Sequence, residues 1–144
     1  MSDKILNFLG LMRRANAIQI GETNTGAAVR GGKAKLLLLA ADASDNARSR
    51  AEGFTRGRSV LTVQLPYTKE EISASVGVSG CSMAAVTDIG FANALMKSLS
   101  ERQPESYSAL AGEMDARFSK AQRRKKEAAA HERNKRIGKR RTNV

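Results

Sequence analysis

Residues 20–40 read IGETNTGAAVRGGKAKLLLLA. Ile18–Ile20 reads as a short strand that Gly21 ends. Glu22–Arg30 reads as a helix, stopped by Gly31 and Gly32, because glycine enters the backbone conformations that close helices. Leu36–Ala41 is continuously apolar, which marks a strand covered on both faces and therefore central in its sheet. A strand, a turn, a helix and a buried strand in twenty-odd residues announce an α/β chain.

The pattern extends in both directions. Asp3 stands before Ile5, Leu6, Phe8, Leu9, Leu11 and Met12, a helical apolar face with an acidic start. Downstream, Asp42, Ser44 or Asp45 can cap a helix over 45–55. Ser59–Leu65 is rich in β-branched residues and reads as a strand ended by Pro66. Thr68-Lys-Glu-Glu71 is a capping box opening a helix over 68–75. The loop VGVSGCS precedes a strand at Met83–Thr87, and Asp88 caps a helix with Phe91, Ala92, Leu95, Met96 and Leu99 on its inner side. Strands and helices alternating at this rhythm predict a three-layer α/β/α sandwich around a four-stranded mixed sheet, complete by about residue 100.

Two further segments follow, and we expect three parts: a body at 1–100, an amphipathic helix at 101–121 and a basic, disordered tail at 122–144. Pro104 fits a first helical turn. Tyr107, Leu110, Met114 and Phe118 make an apolar seam that docks on the body, with self-association as the alternative. After Phe118 no core-facing stripe remains. The net charge of +11 is concentrated there: residues 117–144 hold 12 Lys/Arg against 2 Asp/Glu, whereas residues 1–99 hold 12 against 8. A basic tail on a mildly basic body points to a polyanion, and nucleic acid is the better reading than solubility alone.

Several function classes fall away. One cysteine, Cys81, excludes an internal disulfide and a thiolate cluster. The single histidine, His131, lies among charges in the tail and reads as a solvated side chain. No signal peptide is visible and no apolar run is long enough to span a bilayer, so a cytoplasmic location without membrane contact is expected. A P-loop fits only as Ala27–Ala34, lacking the first glycine and the magnesium-binding hydroxyl, and it leads from helix to strand rather than the reverse. No G-x-G-x-x-G occurs. Asp42, Asp45 and Asp88 follow strands, where sites often lie, but all three read better as helix caps. No catalytic set and no cofactor is implied.

A binding surface is the remaining reading. Gly21 allows a tight turn into the helix, whose first amides then attract phosphate. Thr23 and Asn24 carry short side chains able to bond base edges. Arg30, Lys33 and Lys35 would hold phosphates.

The runs GETNTGAAVRGGKAKLLLLAADAS and SVGVSGCSMAAVTDIGFA resemble the L-seven-Ae ribosomal-protein family over residues 3–99, and within it the small bacterial YlxQ-like members. The resemblance implies an α/β/α sandwich that binds RNA kink-turns. The family's Gly-x-Asn-Glu motif falls on Gly21, Glu22, Thr23 and Asn24; Thr23 stands where asparagine is usual, Asn24 where glutamate is, and Ala27 where lysine is common. A second contact region, packing apolar atoms on a flipped base, falls on Val76–Gly80, with Val78 as the packing residue beside Ser79 and Gly80. Val76 reads equally well as core.

The resulting expectation is a non-enzymatic protein that recognises kinked or otherwise structured RNA. Ribosomal RNA is the expected target and other ribosomal proteins are possible neighbours; no DNA specificity is expected. The competing reading is a ribosome- or protein-interaction factor held by a non-specific basic tail, without kink-turn recognition. An enzyme is the third and weakest.

Overall fold

The computed structural model describes residues 3–142, with side chains through Lys135. Six helices and four strands follow one another: α1 Lys4–Arg14, β1 Ile18–Ile20, α2 Glu22–Arg30, β2 Leu36–Leu39, α3 Asp45–Thr55, β3 Leu61–Gln64, α4 Lys69–Val76, β4 Met83–Val86, α5 Ile89–Arg102 and α6 Pro104–Thr142. The sheet order is β1-β4-β2-β3; β4 is antiparallel to both β1 and β2, and β2 is parallel to β3. The sheet is therefore mixed. Its central strands, β2 and β4, are buried along their whole length.

Each sheet face has its own core. On one side α2 and α3 bring Ala28, Val29, Ala47 and Ala51 onto Leu37, Leu39 and Ala85. On the other, Ile5, Leu9 and Met12 of α1, Ile72 of α4 and Leu95, Met96 and Leu99 of α5 cover Leu36, Leu38, Ala84 and Val86. Consecutive leucines of β2 thus serve opposite layers, as the alternation of a strand requires. The layering is the sandwich expected.

Local signals account for the boundaries. Asp3 accepts the amides of Ile5 and Leu6 at 2.8 and 3.2 Å, capping α1. Of the three candidates for α3, Ser44 is the cap; Asp42 instead accepts the Lys69 amide at 2.8 Å and ties α4 to the loop after β2. Thr68 and Glu71 form the capping box, so α4 begins one residue after the cap. Asp88 caps α5. The strands are shorter than the apolar runs because those runs continue into loops: Ala41 donates to the Tyr67 carbonyl rather than to a strand partner.

Tight approaches knit this second helical layer together. A Cβ on Gly10 of α1 would lie 2.8 Å from the Ser75 carbonyl oxygen of α4, so the two helices touch through bare backbone. Asp3 also accepts the Tyr67 hydroxyl at 2.9 Å and pairs with Arg102 at 2.7 Å, joining the start of α1 to the end of α5. Burial raises the Asp3 pKa, but its hydrogen bonds from Arg102, Tyr67, Leu6 and Ile5 outweigh this and hold it below the usual value.

The seam of α6 docks on the body: Tyr107 and Met114 are buried, and Leu110 packs against the same core. The Tyr107 hydroxyl donates to the Gln64 carbonyl at the end of β3, and Arg117 donates to the Ser59 carbonyl before its start. α6 therefore runs antiparallel to β3 and guards that exposed sheet edge. It also passes residue 121, where the sequence reading ends its helix, and continues to Thr142. Its later residues are mostly Ala, Lys, Arg, Glu and Gln, all strong helix formers. Residues 122–135 are exposed on every side. Of the expected tail at 122–144, residues up to Thr142 are helical and residues 143–144 lie outside the described residues.

Candidate nucleic-acid interface

Gly21 sits at φ +94°, in a region that disfavours side chains, and its amide donates to the Met83 carbonyl at 3.0 Å. That bond places the start of α2 beside the start of β4. The first intrahelical bond of α2 runs from the Thr25 amide to the Gly21 carbonyl, and no side chain caps the helix. The amides of residues 22–24 are thus the unmatched N-terminal donors of α2. Together with the helix dipole they favour an anionic group at this end.

The loop 77–82 enters the same sheet end directly before Met83. Gly77 and Gly80 adopt left-handed conformations, at φ +76° and +71°, with open space where a Cβ would stand. Ser79 and Gly80 are exposed. Val78 is half-buried and packs on the core, while Val76, the last residue of α4, is buried. Of the two readings of Val76, core packing is the one observed. Cys81 anchors the loop from below: its amide donates to the Ser73 hydroxyl at 3.1 Å. Burial pushes its thiol up to about 11, so it is a protonated packing group.

The motif side chains divide between the two flanks of α2. On the α3 flank, Glu22 pairs with Arg50 at 2.6 Å, and Thr23 lines a groove with Arg30, Arg50 and Phe54. The Arg30 guanidinium lies over the Phe54 ring, 5.9 Å from its centroid. Gly26 makes that possible, since a Cβ there would meet the ring at 2.8 Å. On the other flank, Asn24 and Lys33 share a groove with Asn16, Gln19 and Thr87. Asn24 Nδ2 donates to the Ile20 carbonyl at 2.9 Å.

The predicted residues therefore divide between a cluster at one end of the sheet and three cations at or beyond the far end of α2. Gly21, Glu22, Thr23, Asn24, Val78, Ser79 and Gly80 meet at one end of the sheet. Arg30 is the last residue of α2 and Lys33 follows its end, but each lines a groove along α2, Arg30 with Thr23 and Lys33 with Asn24. Lys35 stands at the opposite end, where its amide donates to Val86, the last residue of β4. Nine helical residues carry the chain about 13 Å away from Gly21 before it reaches these lysines. Arg50 and Gln19 were not singled out in the sequence. Arg50 stands beside Ala47 and Ala51, whose small apolar spacing shows which side of α3 faces the sheet, but only the packing of α3 on α2 brings it to Glu22.

Other chemistry is sparse. Among the described residues, no three His, Cys, Asp or Glu side chains gather to hold a metal ion, and no helix is long and apolar enough to cross a membrane. Tyr67, pushed up to about 12 by burial and by the Asp3 carboxylate, belongs to the structural tie between α1 and α5.

Comparison with known proteins gives this face a context. No family model matches the chain. It is 37% identical over 95 residues to RNA-binding protein YlxQ of Bacillus subtilis (strain 168), a match covering 63% of this chain and 90% of that protein. Among solved structures, a protein with unknown function from Bacillus halodurans C superposes with a TM-score of 0.60 at 23% identity, covering 65% of this chain and 94% of the other. The Giardia lamblia 15.5kD RNA binding protein superposes with a TM-score of 0.53 at 18% identity, covering 81% and 92%. At these identities the two structures show a shared fold.

Proposed function

The chain belongs to the family of RNA-binding protein YlxQ, and from that premise we propose that it is a non-enzymatic RNA-binding protein reading kinked or otherwise structured RNA. The observation that carries the proposal is the Gly21–Met83 hydrogen bond. It holds uncapped helix amides and a glycine-rich loop side by side at one end of the sheet. RNA is read through shape and through bases splayed from the stack, and such a surface suits both. The amides would take a phosphate, Thr23 and the free oxygen of Asn24 would meet base edges, and Val78 would pack on an unstacked base.

The three parts of the chain then divide the work. The body at 1–100 selects the RNA, the segment at 101–121 docks on it, and the basic segment at 122–144 adds charge without choosing a sequence. Ribosomal RNA is the target we favour, with ribosomal proteins as neighbours. Binding of the full-length chain to a kink-turn RNA and to a plain duplex of equal length, at matched salt, tests the reading. A preference of tenfold or more for the kink-turn is expected. Equal affinities would replace it with a factor held by its basic helix alone, without kink-turn recognition.

A further inference from the structure

The sheet end opposite Gly21 carries a cleft of about 730 Å³, between the turn before β2, the loop before β3 and the stretch of α6 from Met114 to Arg124. Among the described residues, five cations line it, Lys35, Arg58, Arg117, Lys120 and Arg124, and no carboxylate does. Two of them are fixed by the backbone. Arg58 donates to the Val29 carbonyl at 3.2 Å and Arg117 to the Ser59 carbonyl. Glu113 reaches Arg117 at 3.1 Å from the preceding helical turn. Gly32 and Gly57, at φ +72° and +73°, leave the body-side wall open, with nothing within 4 Å of where a Cβ would stand.

The stripe of α6 that faces the body explains the cleft. It begins with Tyr107, Leu110 and Met114, which are buried or half-buried. At the same helical spacing it continues as Arg117, Lys120, Ala121 and Arg124. The face changes from apolar to cationic as the helix passes the loop before β3, where Arg117 is half-buried and Lys120 and Arg124 are exposed. Like charges three and four positions apart on a helix repel, and here they also face Lys35 and Arg58. An arrangement that is unfavourable by itself becomes favourable once a polyanion fills it.

We propose that this cleft is a second RNA site, which grips one phosphate strand between Lys35 and Arg58 on one wall and Lys120 and Arg124 on the other. The proposal rests on RNA binding by this chain but not on kink recognition. The cleft lies about one α2 length from the Gly21 face, so a duplex arm of an RNA held at that face reaches it.

The test measures the salt dependence of kink-turn RNA binding by the full-length chain. Each phosphate contact contributes about 0.7–0.9 to the log–log slope. Lys35→Gln with Lys120→Gln, one cation from each wall, should therefore make the slope shallower by about 1.4–1.8. Between 50 and 200 mM salt, the affinity loss then shrinks about tenfold relative to wild type. Lys4→Gln with Lys97→Gln removes the same charge outside the cleft and should leave the slope unchanged. A wild-type slope in the cleft variant, or equal changes in both variants, would overturn the cleft site while leaving the Gly21 face standing. Loss of kink preference in Asn24→Ala with an unchanged slope supports both sites as separate. A wild-type chain that binds no RNA overturns both.

Discussion

At the Gly21 end of the sheet the exposed groups are backbone amides, glycines and short polar side chains; at the Lys35 end they are guanidinium and ammonium groups converging on an open cleft. The first surface can discriminate, because hydrogen bonds to base edges and close backbone approach depend on the shape of the ligand. The second can hold, because phosphate contacts are strong in low salt and indifferent to sequence. On the proposed reading, separating the two along α2 would let one chain choose an RNA at one end and tighten on it at the other. Beyond the second end, α6 carries further cations into solvent, extending the holding surface rather than the choosing one.

The largest expected effect lies on the holding side. Replacing Arg123, Lys125, Lys126 and Arg133 with glutamine removes four exposed cations. If each meets a phosphate, the affinity loss between 50 and 200 mM salt should shrink about 50- to 150-fold. The preference for kink-turn over duplex should stay as in wild type. A collapse of that preference would break the division between the two ends.

The discriminating side gives the next effect. Asn24→Ala should weaken kink-turn binding by about 1–3 kcal/mol and leave duplex binding unchanged. The bond from Asn24 to the Ile20 carbonyl supplies a structural competitor to this account. Thermal unfolding of the same variant separates the two. A drop in stability with unchanged affinity makes Asn24 a helix-start residue; weaker binding at unchanged stability makes it a reader.

Much of this was legible in the sequence where a residue acts on its neighbours. Gly21 and Gly31 bracket α2 at the predicted positions, and the Thr68–Glu71 box and the Asp88 cap depend on groups within three residues. The continuous leucines of β2 gave its central place, since only a strand covered on both sides tolerates them. The site was legible in part. Its glycines and polar residues are local, but the displacement of Lys35 follows from the direction in which α2 crosses the sheet. The pairing of Glu22 with Arg50 spans 28 positions and has no local sign. The cationic stripe of α6 was hidden for a further reason: Arg117 and Lys120 fall in the expected helix at 101–121, but only the docking of Tyr107 and Met114 fixes its phase and shows that they face the body.

The scaffold beneath both ends can be probed through Gly10. Gly10→Ala forces a methyl against the Ser75 carbonyl, and a backbone neighbour yields less readily than a side chain. Overpacking costs about 1–3 kcal/mol, offset by about 1 kcal/mol of better helix propensity for alanine, for a net loss of up to about 2 kcal/mol by denaturant unfolding. Because α4 leads into the loop 77–82, the shift should reach the choosing end first. Kink preference should fall more than the salt slope does.

The smallest effect concerns acid. The Asp3 carboxylate is held below its ordinary value near 3.8 by bonds that outweigh its burial, so the folded protein releases this proton more readily than the unfolded chain. Its stabilising contribution is complete above the unfolded value and is lost as pH falls through the lower, folded one. Asp3→Asn keeps an N-cap but loses the charge that receives the Tyr67 hydroxyl and faces Arg102. The stability difference between wild type and variant at pH 7 should be no more than about 1 kcal/mol. It should narrow toward zero as the pH drops below 4. Since Asp3 joins α1, Tyr67 and α5 on the face of the sheet away from α2, neither the kink preference nor the salt slope should move with it. A change in either would mean that the face opposite α2 helps position the RNA surfaces, and that the two ends are coupled through it.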